Sequence, residues 1–336
     1  MVPLGWEDTM RCSGIAGMAL LATFATVPGA VHGGVIAPST TWGTLGSGPG
    51  QFQYPVGLSV DPSGSVYVVD QGNHRIQKFT NDGVFITQWG TRGSDDGQFD
   101  QPQDICIGQN GSIYVVEDQN HRVQRFSSDG AFEVKWGHFD SCDGNFQNPT
   151  GIGTDAQGNV YVADGGNERI QKFDPNGAFI LKWGSWPDPC NPGEWLGETL
   201  GAVDVAGSGL GVVVTDRYAN RLVTYSSEGT AGTSWGCSGS GSYARGIAID
   251  AQNRVYVADF IRDVIQVFSE TGSPIIEFGA TGNGPGAFDL PASVAVDTDG
   301  NVFVADMRNH RIQKFSPSGI TSSRRISWGS LRLKYR

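Results

Sequence analysis

With 336 residues, 38% of them hydrophobic and 17% charged, the chain is long enough to bury a large core. Its 49 glycines and 16 prolines point to many tight turns, which favours strands over helices. A formal net charge of -11 argues against a body that grips phosphate backbones, so nucleic acid is not an expected partner.

The chain opens on a segment that reads as an address. Residues 15–27, IAGMALLATFATV, form an apolar run preceded by Arg11 and followed by PGAVHGG, the order of charged, apolar and small-residue regions in a secretory signal, with cleavage expected near Ala30 or Gly33. Glu7 and Asp8 put negative charge where such a signal is positive, so Met10-Arg11 makes a better start. A retained anchor needs about 20 strongly apolar residues, and this run is shorter and rich in Ala, Gly and Thr. Residues 1–33 are therefore read as an export segment, with no membrane span after its removal, and the protein is expected outside the cytoplasm, in a periplasm, a cell envelope or the medium.

From residue 40 onward a repeat takes over. A Trp-Gly or Phe-Gly pair closes each unit at Gly43, Gly90, Gly137, Gly184, Gly236, Gly279 and Gly329, in steps of 47, 47, 47, 52, 43 and 50 residues. Each of the six units holds four short apolar runs with internal alternation, separated by Gly, Asn, Asp or Pro, as in GLSVD-PSG-SVYVVD-QGNH-RIQKF-TNDG-VFITQWG. Four strands per unit of this length describe the blade of a propeller. The expected fold is all-β: a six-bladed β-propeller with four antiparallel strands per blade over residues 40–329, followed by a short basic tail at 330–336. The innermost strands are GLSVD, DICIG, GIGTD, AVDVA, GIAID and SVAVD, whose small residues suit a crowded axis; Pro55, Pro102, Pro149 and Pro291 stand just ahead of four of them. Seven closing pairs serve six blades, so TTWG at 40–43 and ISWG at 326–329 compete for the outer edge of the last blade. The first is favoured, because pairing the two chain ends locks the ring.

Between the second and third strands of a unit runs an acid-x-x-Asn-x-Arg spacing. Asp70 and Arg75 flank a Gly-Asn turn and can meet across the hairpin; the pair recurs as Glu117/Arg122, Asp164/Arg169, Asp216/Arg221 and Asp306/Arg311. Five copies around a ring suit a scaffold better than a ligand site, and Arg169→Ala is expected to cost about 1 kcal/mol if the pair is partly buried.

The pattern Val-Tyr-Val-Ala-Asp-x-x-Asn-x-Arg-Ile-x-x-Phe, preceded by Pro-x-Gly-Ile-x-x-Asp and closed by Trp-Gly, resembles the NHL repeat, and the chain is similar to exported, bacterial-type members of that family from residue 42 to 329. Units one, two, three and six match it closely. Unit four is weaker, and unit five has Val264 where the Arg belongs. The resemblance implies a six-bladed propeller. Among similar propellers is the peptidyl-hydroxyglycine lyase, in which histidines just after the proline of innermost strands hold a zinc at the axis. Here those positions carry Val56, Gln103, Thr150, Arg245 and Ala292, so no metal or other cofactor is carried over. RNA binding, known in some NHL proteins, uses a basic face that this acidic body lacks.

Other chemical motifs fail on context. His74, His121 and His310 share one repeat position, where equivalent atoms of adjacent blades stand about 10 Å apart, too far for a common metal, and they read as solvated turn residues. GTSWG around Ser234 lies in an outer strand with no helix to make a nucleophile elbow, DTDGN at 297–301 is the hairpin after a first strand, and neither a Gly-rich phosphate loop nor a Cys-x-x-Cys occurs. Cys106 reads as a small buried hydrophobe; Cys142, Cys190 and Cys237 fall in connections between consecutive blades, and two of them can pair.

The repeat is most broken around units four and five. Trp195, Arg217, Tyr218, Tyr243 and Arg245 fall in connections or second-to-third-strand turns, which open on one face around the axial mouth, and they are residue types enriched in recognition surfaces. They are the candidate ligand-binding residues, with Arg245 and Arg217 for a carboxylate or other anion and the aromatics for an apolar or sugar-like part. No catalytic residue is identified. The reading is a monomeric binding module for a protein or a small anionic or carbohydrate ligand, with a lyase or lactone hydrolase using the same mouth as the rival.

Overall fold

The computed structural model describes residues 31–32, 34–184, 202–208, 211–217, 219–236 and 242–321. The core of the expected export segment, the ISWG closing pair, the basic tail, Trp195, Tyr218, Cys190 and Cys237 lie outside the described residues.

Six four-stranded antiparallel units follow one another along the chain. In blade one, β3 (Pro55–Val60), β4 (Val66–Asp70), β5 (Arg75–Phe79) and β6 (Phe85–Trp89) run from the axis outward. Innermost strands at Pro102–Ile107, Gly151–Thr154, Ala202–Ser208, Ala244–Ile249 and Pro291–Val296 repeat the arrangement in blades two to six. Alternating apolar residues face the neighbouring blades on both sides, so the core lies between blades. One such layer joins Leu58, Val68 and Phe79 of blade one to Ala295, Phe303 and Ile312 of blade six; another joins Tyr161 and Ile170 of blade three to Val205 and Val214 of blade four. A blade has no private core, which is why the units occur as a ring.

The axis is as crowded as its small residues suggest. A Cβ on Gly57 would stand 2.9 Å from the Asp104 Cα, and one on Gly246 would stand 2.5 Å from the Ser293 Cα. At the rim, a glycine after a closing Trp is fixed by conformation: Gly90 has φ +99, and a Cβ there would meet the Phe99 ring at 2.4 Å.

The N-terminal segment closes the ring, as the competition of closing pairs favours. The strand β2 (Thr40–Trp42) pairs antiparallel with the third strand of blade six, Thr41 opposite Gln313 and Trp42 opposite Ile312. Just ahead of it, β1 (Val31–His32) adds a fifth strand, parallel, to the outer edge of blade five at Pro274–Phe278. Ile36 is buried in the layer between blades five and six, so the N-terminal segment straddles that seam.

Candidate functional site

The repeated acid, Asn and Arg form a clamp. Asp70 and Arg75 are direct cross-strand partners, with Arg75 Nε donating to Asp70 Oδ2 at 2.8 Å. The rest of the guanidinium donates to the carbonyls of Ser47, Gly48 and Gln51, Asn73 Nδ2 donates to the Gly46 carbonyl, and Gln77 Nε2 to that of Gln51. All of these carbonyls belong to the connection leading into the same blade. The set recurs on blade two around Glu117 and Arg122, on blade three around Asp164 and Arg169, and on blade six around Asp306 and Arg311. Its carboxylates are fully buried, so the expectation of about 1 kcal/mol for Arg169→Ala is too small: the Arg169 side chain is 2% exposed, and its removal leaves Asp164 buried without its cation. Blade four keeps the pair at 3.1 Å with Arg221 26% exposed. Blade five, lacking the Arg, sends Arg262 to Glu277 at 2.8 Å, with Asp259 at 3.7 Å.

The histidines stand in the hairpin turns, as expected, and are partly exposed, but they also bond across blades. His74, His121 and His310 adopt left-handed φ of 52, 49 and 53, and each offers Nδ1 to a backbone N–H of the next blade: Gln101 at 3.4 Å, Asn148 at 3.2 Å and Tyr54 at 3.2 Å. On blade five Asp263 does the same for Leu290 at 2.8 Å. These are latches between blades, and accepting at Nδ1 requires the neutral imidazole. Cys106 is buried and free, as expected; Cys142 is disulfide-bonded to a partner outside the described residues. Ser234 lies in the outer strand Ala231–Gly236, and Asp297 accepts from the N–H groups of Asp299 and Asn301 within its own hairpin.

The axial mouth holds a cavity of about 210 Å³ lined by Gln103, Asp104, Asp204, Arg217, Tyr243, Arg245 and Phe260, with Val56, Ile261 and Ala292 as apolar walls. Of the sequence candidates, the structure brings Arg217, Tyr243 and Arg245 together here. The positions that hold histidines in the peptidyl-hydroxyglycine lyase are also here: Val56, Gln103, Thr150, Arg245 and Ala292 line the cavity. In blade four the register, Ala202 opposite Asp216, puts Val203 at the equivalent strand position.

Arg245 is the cationic centre of this cavity. Its guanidinium carbon lies 4.8 Å from the Phe260 ring centre, and Nη1 points to Met307 Sδ at 3.8 Å. Among the described residues no carboxylate oxygen lies within ion-pair distance of it, although Asp104 and Asp204 act on it through space. Burial pulls the guanidinium below its ordinary range. Tyr243 packs its ring 6.0 Å from Phe260, and the Phe260 N–H donates to the Tyr243 carbonyl at 2.9 Å.

Asp204 near Arg245 was open to the sequence; its pairing with Asp104 was not. They occupy the third position of innermost strands two and four, where the other blades carry Gly57, Gly151, Gly246 and Ser293. Each side chain reaches to the next blade: Asp104 Oδ2 accepts from the Ile152 N–H at 3.1 Å, and Asp204 Oδ2 from the Ile247 N–H at 2.8 Å. The two carboxyls line the same cavity and act on each other, and two buried acids this close resist ionising together. Burial pushes Asp104 up to about 6, and burial together with the Asp104 charge holds Asp204 well above the usual carboxylate range. Superposing the six innermost strands in sequence, with two acids among glycines and a serine at the tightest ring, is the signal that finds them.

The NHL repeat family matches residues 52–79, 99–126, 146–173 and 288–315, which are the four blades carrying the full clamp. The chain belongs to the NHL-repeat family. Curated relatives match it over one repeat's length: Protein lin-41 of Caenorhabditis elegans is 45% identical over 51 residues, 15% of this chain and 4% of that protein. The human E3 ubiquitin-protein ligase TRIM32 is 54% identical over 41 residues, 12% of this chain and 6% of the ligase. Among solved structures, this NHL propeller is similar to a streptogramin B lyase (TM-score 0.58, 14% identity, 81% of this chain and 95% of that one). It is also similar to an auxiliary nutrient binding protein from Bacteroides ovatus (TM-score 0.57, 16% identity, 83% and 76%). At such identities the likeness is one of fold.

Proposed function

We propose that this NHL propeller is a non-catalytic binding module that works outside the cytoplasm and seats its ligand in the axial mouth on Arg245. One observation carries the reading: a guanidinium laid on Phe260 and turned into a cavity without a carboxylate in pairing distance among the described residues. Such a group donates two parallel hydrogen bonds to an anion, while Tyr243, Phe260 and Ile261 supply apolar or stacking surface. The ligand is a small anionic or carbohydrate molecule, or an acidic group on a protein, the last in keeping with the interaction role of NHL repeats and with the TRIM32 match. Export is supported by the apolar run at 15–27 and by the Cys142 disulfide, a bond that persists in oxidising compartments. Among the described residues no helix is long and apolar enough to cross a membrane.

The enzyme reading keeps one observation in its favour, the Asp104–Asp204 pair, which offers a carboxylic acid and a carboxylate in the same cavity. Against it, both groups are over nine-tenths buried and already accept backbone N–H bonds, the geometry of a fixed support. The test compares the mature chain with Arg245→Ala and Arg217→Ala for retention of envelope proteins and metabolites identified by mass spectrometry. Loss of at least about tenfold in retention is expected for Arg245→Ala, the loss of a charge-assisted bidentate contact; unchanged retention by both variants removes the mouth as the site.

A further inference from the structure

The cavity contains two charge systems that cannot act independently. Arg245 supplies one positive charge, and the buried Asp104–Asp204 pair lining the same cavity carries negative charge that proton uptake would reduce. The groups facing the pair are few. Arg245 acts on both carboxyls, and the buried Cys106 thiol lies beside both. Tyr243 faces Arg245, and Arg217 lines the rim. At the matching strand position blades one, three, five and six carry Gly57, Gly151, Gly246 and Ser293, none of them titratable. The pair is thus the one carboxyl system lining the space above Arg245 among the described residues.

The hydrogen bonds decide the sign of the ligand. Asp104 accepts from the N–H groups of Ile105 and Ile152, Asp204 from those of Val205 and Ile247, and each carboxyl engages the other. Few oxygen lone pairs are left for a cation. Arg245, by contrast, has N–H donors whose only near partner among the described residues is a thioether sulfur at 3.8 Å. An anion that takes those donors enters a cavity walled by Val56, Phe260, Ile261 and Ala292, where repulsion from an ionised pair is poorly screened.

We propose that the mouth seats a small carboxylate on Arg245 while the Asp104–Asp204 pair takes up one proton from solvent. The inference rests on the mouth being the binding site and adds to it the ligand's charge and its linkage to protons. Reciprocity makes the two events support each other: the anion favours the protonated pair, and the protonated pair favours the anion.

The test is titration calorimetry of the full mature chain with benzoate, using benzamide and benzylammonium as neutral and cationic isosteres. It is run at about pH 5.5 and about pH 8, at the lower of which benzoate is still ionised, and in buffers of different ionisation heat. Benzoate is expected to bind at least about tenfold tighter at the lower pH, with net proton uptake between the two and with neither isostere matching it. Arg245→Ala should abolish the binding, and Asp104→Asn should keep binding at the lower pH while removing most of its pH dependence. If Asp104→Asn does not fold, proton uptake by the wild-type chain decides alone. Equal benzoate affinity at both pH values without proton uptake overturns the linkage and leaves the mouth as a site. Tighter binding of benzylammonium overturns the anion assignment. No benzoate binding at either pH overturns this inference, whereas loss of the mouth itself is read from retention by the Arg245 and Arg217 variants.

Discussion

Blades three and four carry the same acid–arginine pair and use it differently. In blade three Arg169 is sealed and ties the strand hairpin to the connection through the Cys142 and Asn145 carbonyls. In blade four Arg221 keeps its carboxylate at a longer distance and a quarter of its side chain is exposed. Blade five dispenses with the arginine, and its hairpin turn instead lends Phe260 and Ile261 to the cavity. The clamp freezes the connections on blades one, two, three and six, and the mouth chemistry gathers where the clamp is relaxed or rerouted. A ring of identical blades would have no reason to present a ligand at one place; unequal clamping supplies it.

That contrast is broken or sharpened by three measurements. The largest effect is expected from Arg169→Ala, about 3–5 kcal/mol of stability in urea unfolding, because a buried carboxylate loses its cation. Arg221→Ala, by comparison, should cost about 1 kcal/mol or less at its exposed position. Equal losses at the two sites would remove the distinction between sealed and relaxed blades.

The next effect belongs to the acid pair. Because Asp104 titrates near 6 in the folded chain against an ordinary 3.8, the fold holds more protons than the unfolded chain between those values. Asp104's contribution to stability is therefore fully present below the ordinary value and is lost as pH rises through about 6, by about 3 kcal/mol. Asp104→Asn should flatten that part of the stability–pH curve, which unfolding midpoints across the range would report; an unchanged slope would show that Asp104 does not titrate above its ordinary value in the folded state.

The smallest effect is at the seam between blades six and one. His310→Ala removes the acceptor for the Tyr54 N–H and should cost about 1 kcal/mol at neutral to alkaline pH. Burial depresses this imidazole below 6.5, although Asp70 and Asp306 pull it back, so its contribution is present above 6.5 and fades as pH falls through the depressed value. The penalty of His310→Ala should shrink in acid, opposite in sign to the trend set by Asp104. A penalty that grows in acid would contradict the latch.

The architecture was legible because its signals are local and repeated: closing Trp-Gly pairs, four alternating runs per unit, and turn residues at fixed offsets. Ring closure by residues 40–42 followed from counting closing pairs against blades. The placement of Arg245 beside Arg217 and Tyr243 followed from which loops of a blade share a face. Other features were hidden because they exist only between blades. The pairing of the Asp inside DICIG with that inside AVDVA shows only when the six strands are stacked, and Phe260 and Met307 become walls and partner of Arg245 only once the ring is closed. The histidines were read only in part for the same reason: their acceptor role lies in the N–H of a neighbouring blade. The clamp was identified as scaffold but undervalued, since its carbonyl partners stand in a connection some two dozen residues upstream.

Closing the ring with β2 makes the last blade a composite of the two ends of the chain. Ser39 and Lys314, hydrogen-bonded at the seam, are 275 positions apart. Joining such distant points costs about 5 kcal/mol in chain entropy before any contact rewards it, and a nascent chain keeps β2 unpaired until the third strand of blade six has been made. A circular permutant in which residue 321 is linked directly to residue 39, with new ends cut at the exposed turn around Asp82, would turn that distant contact into a hairpin. The same propeller would then assemble in sequence order, with its slowest step moved to another seam.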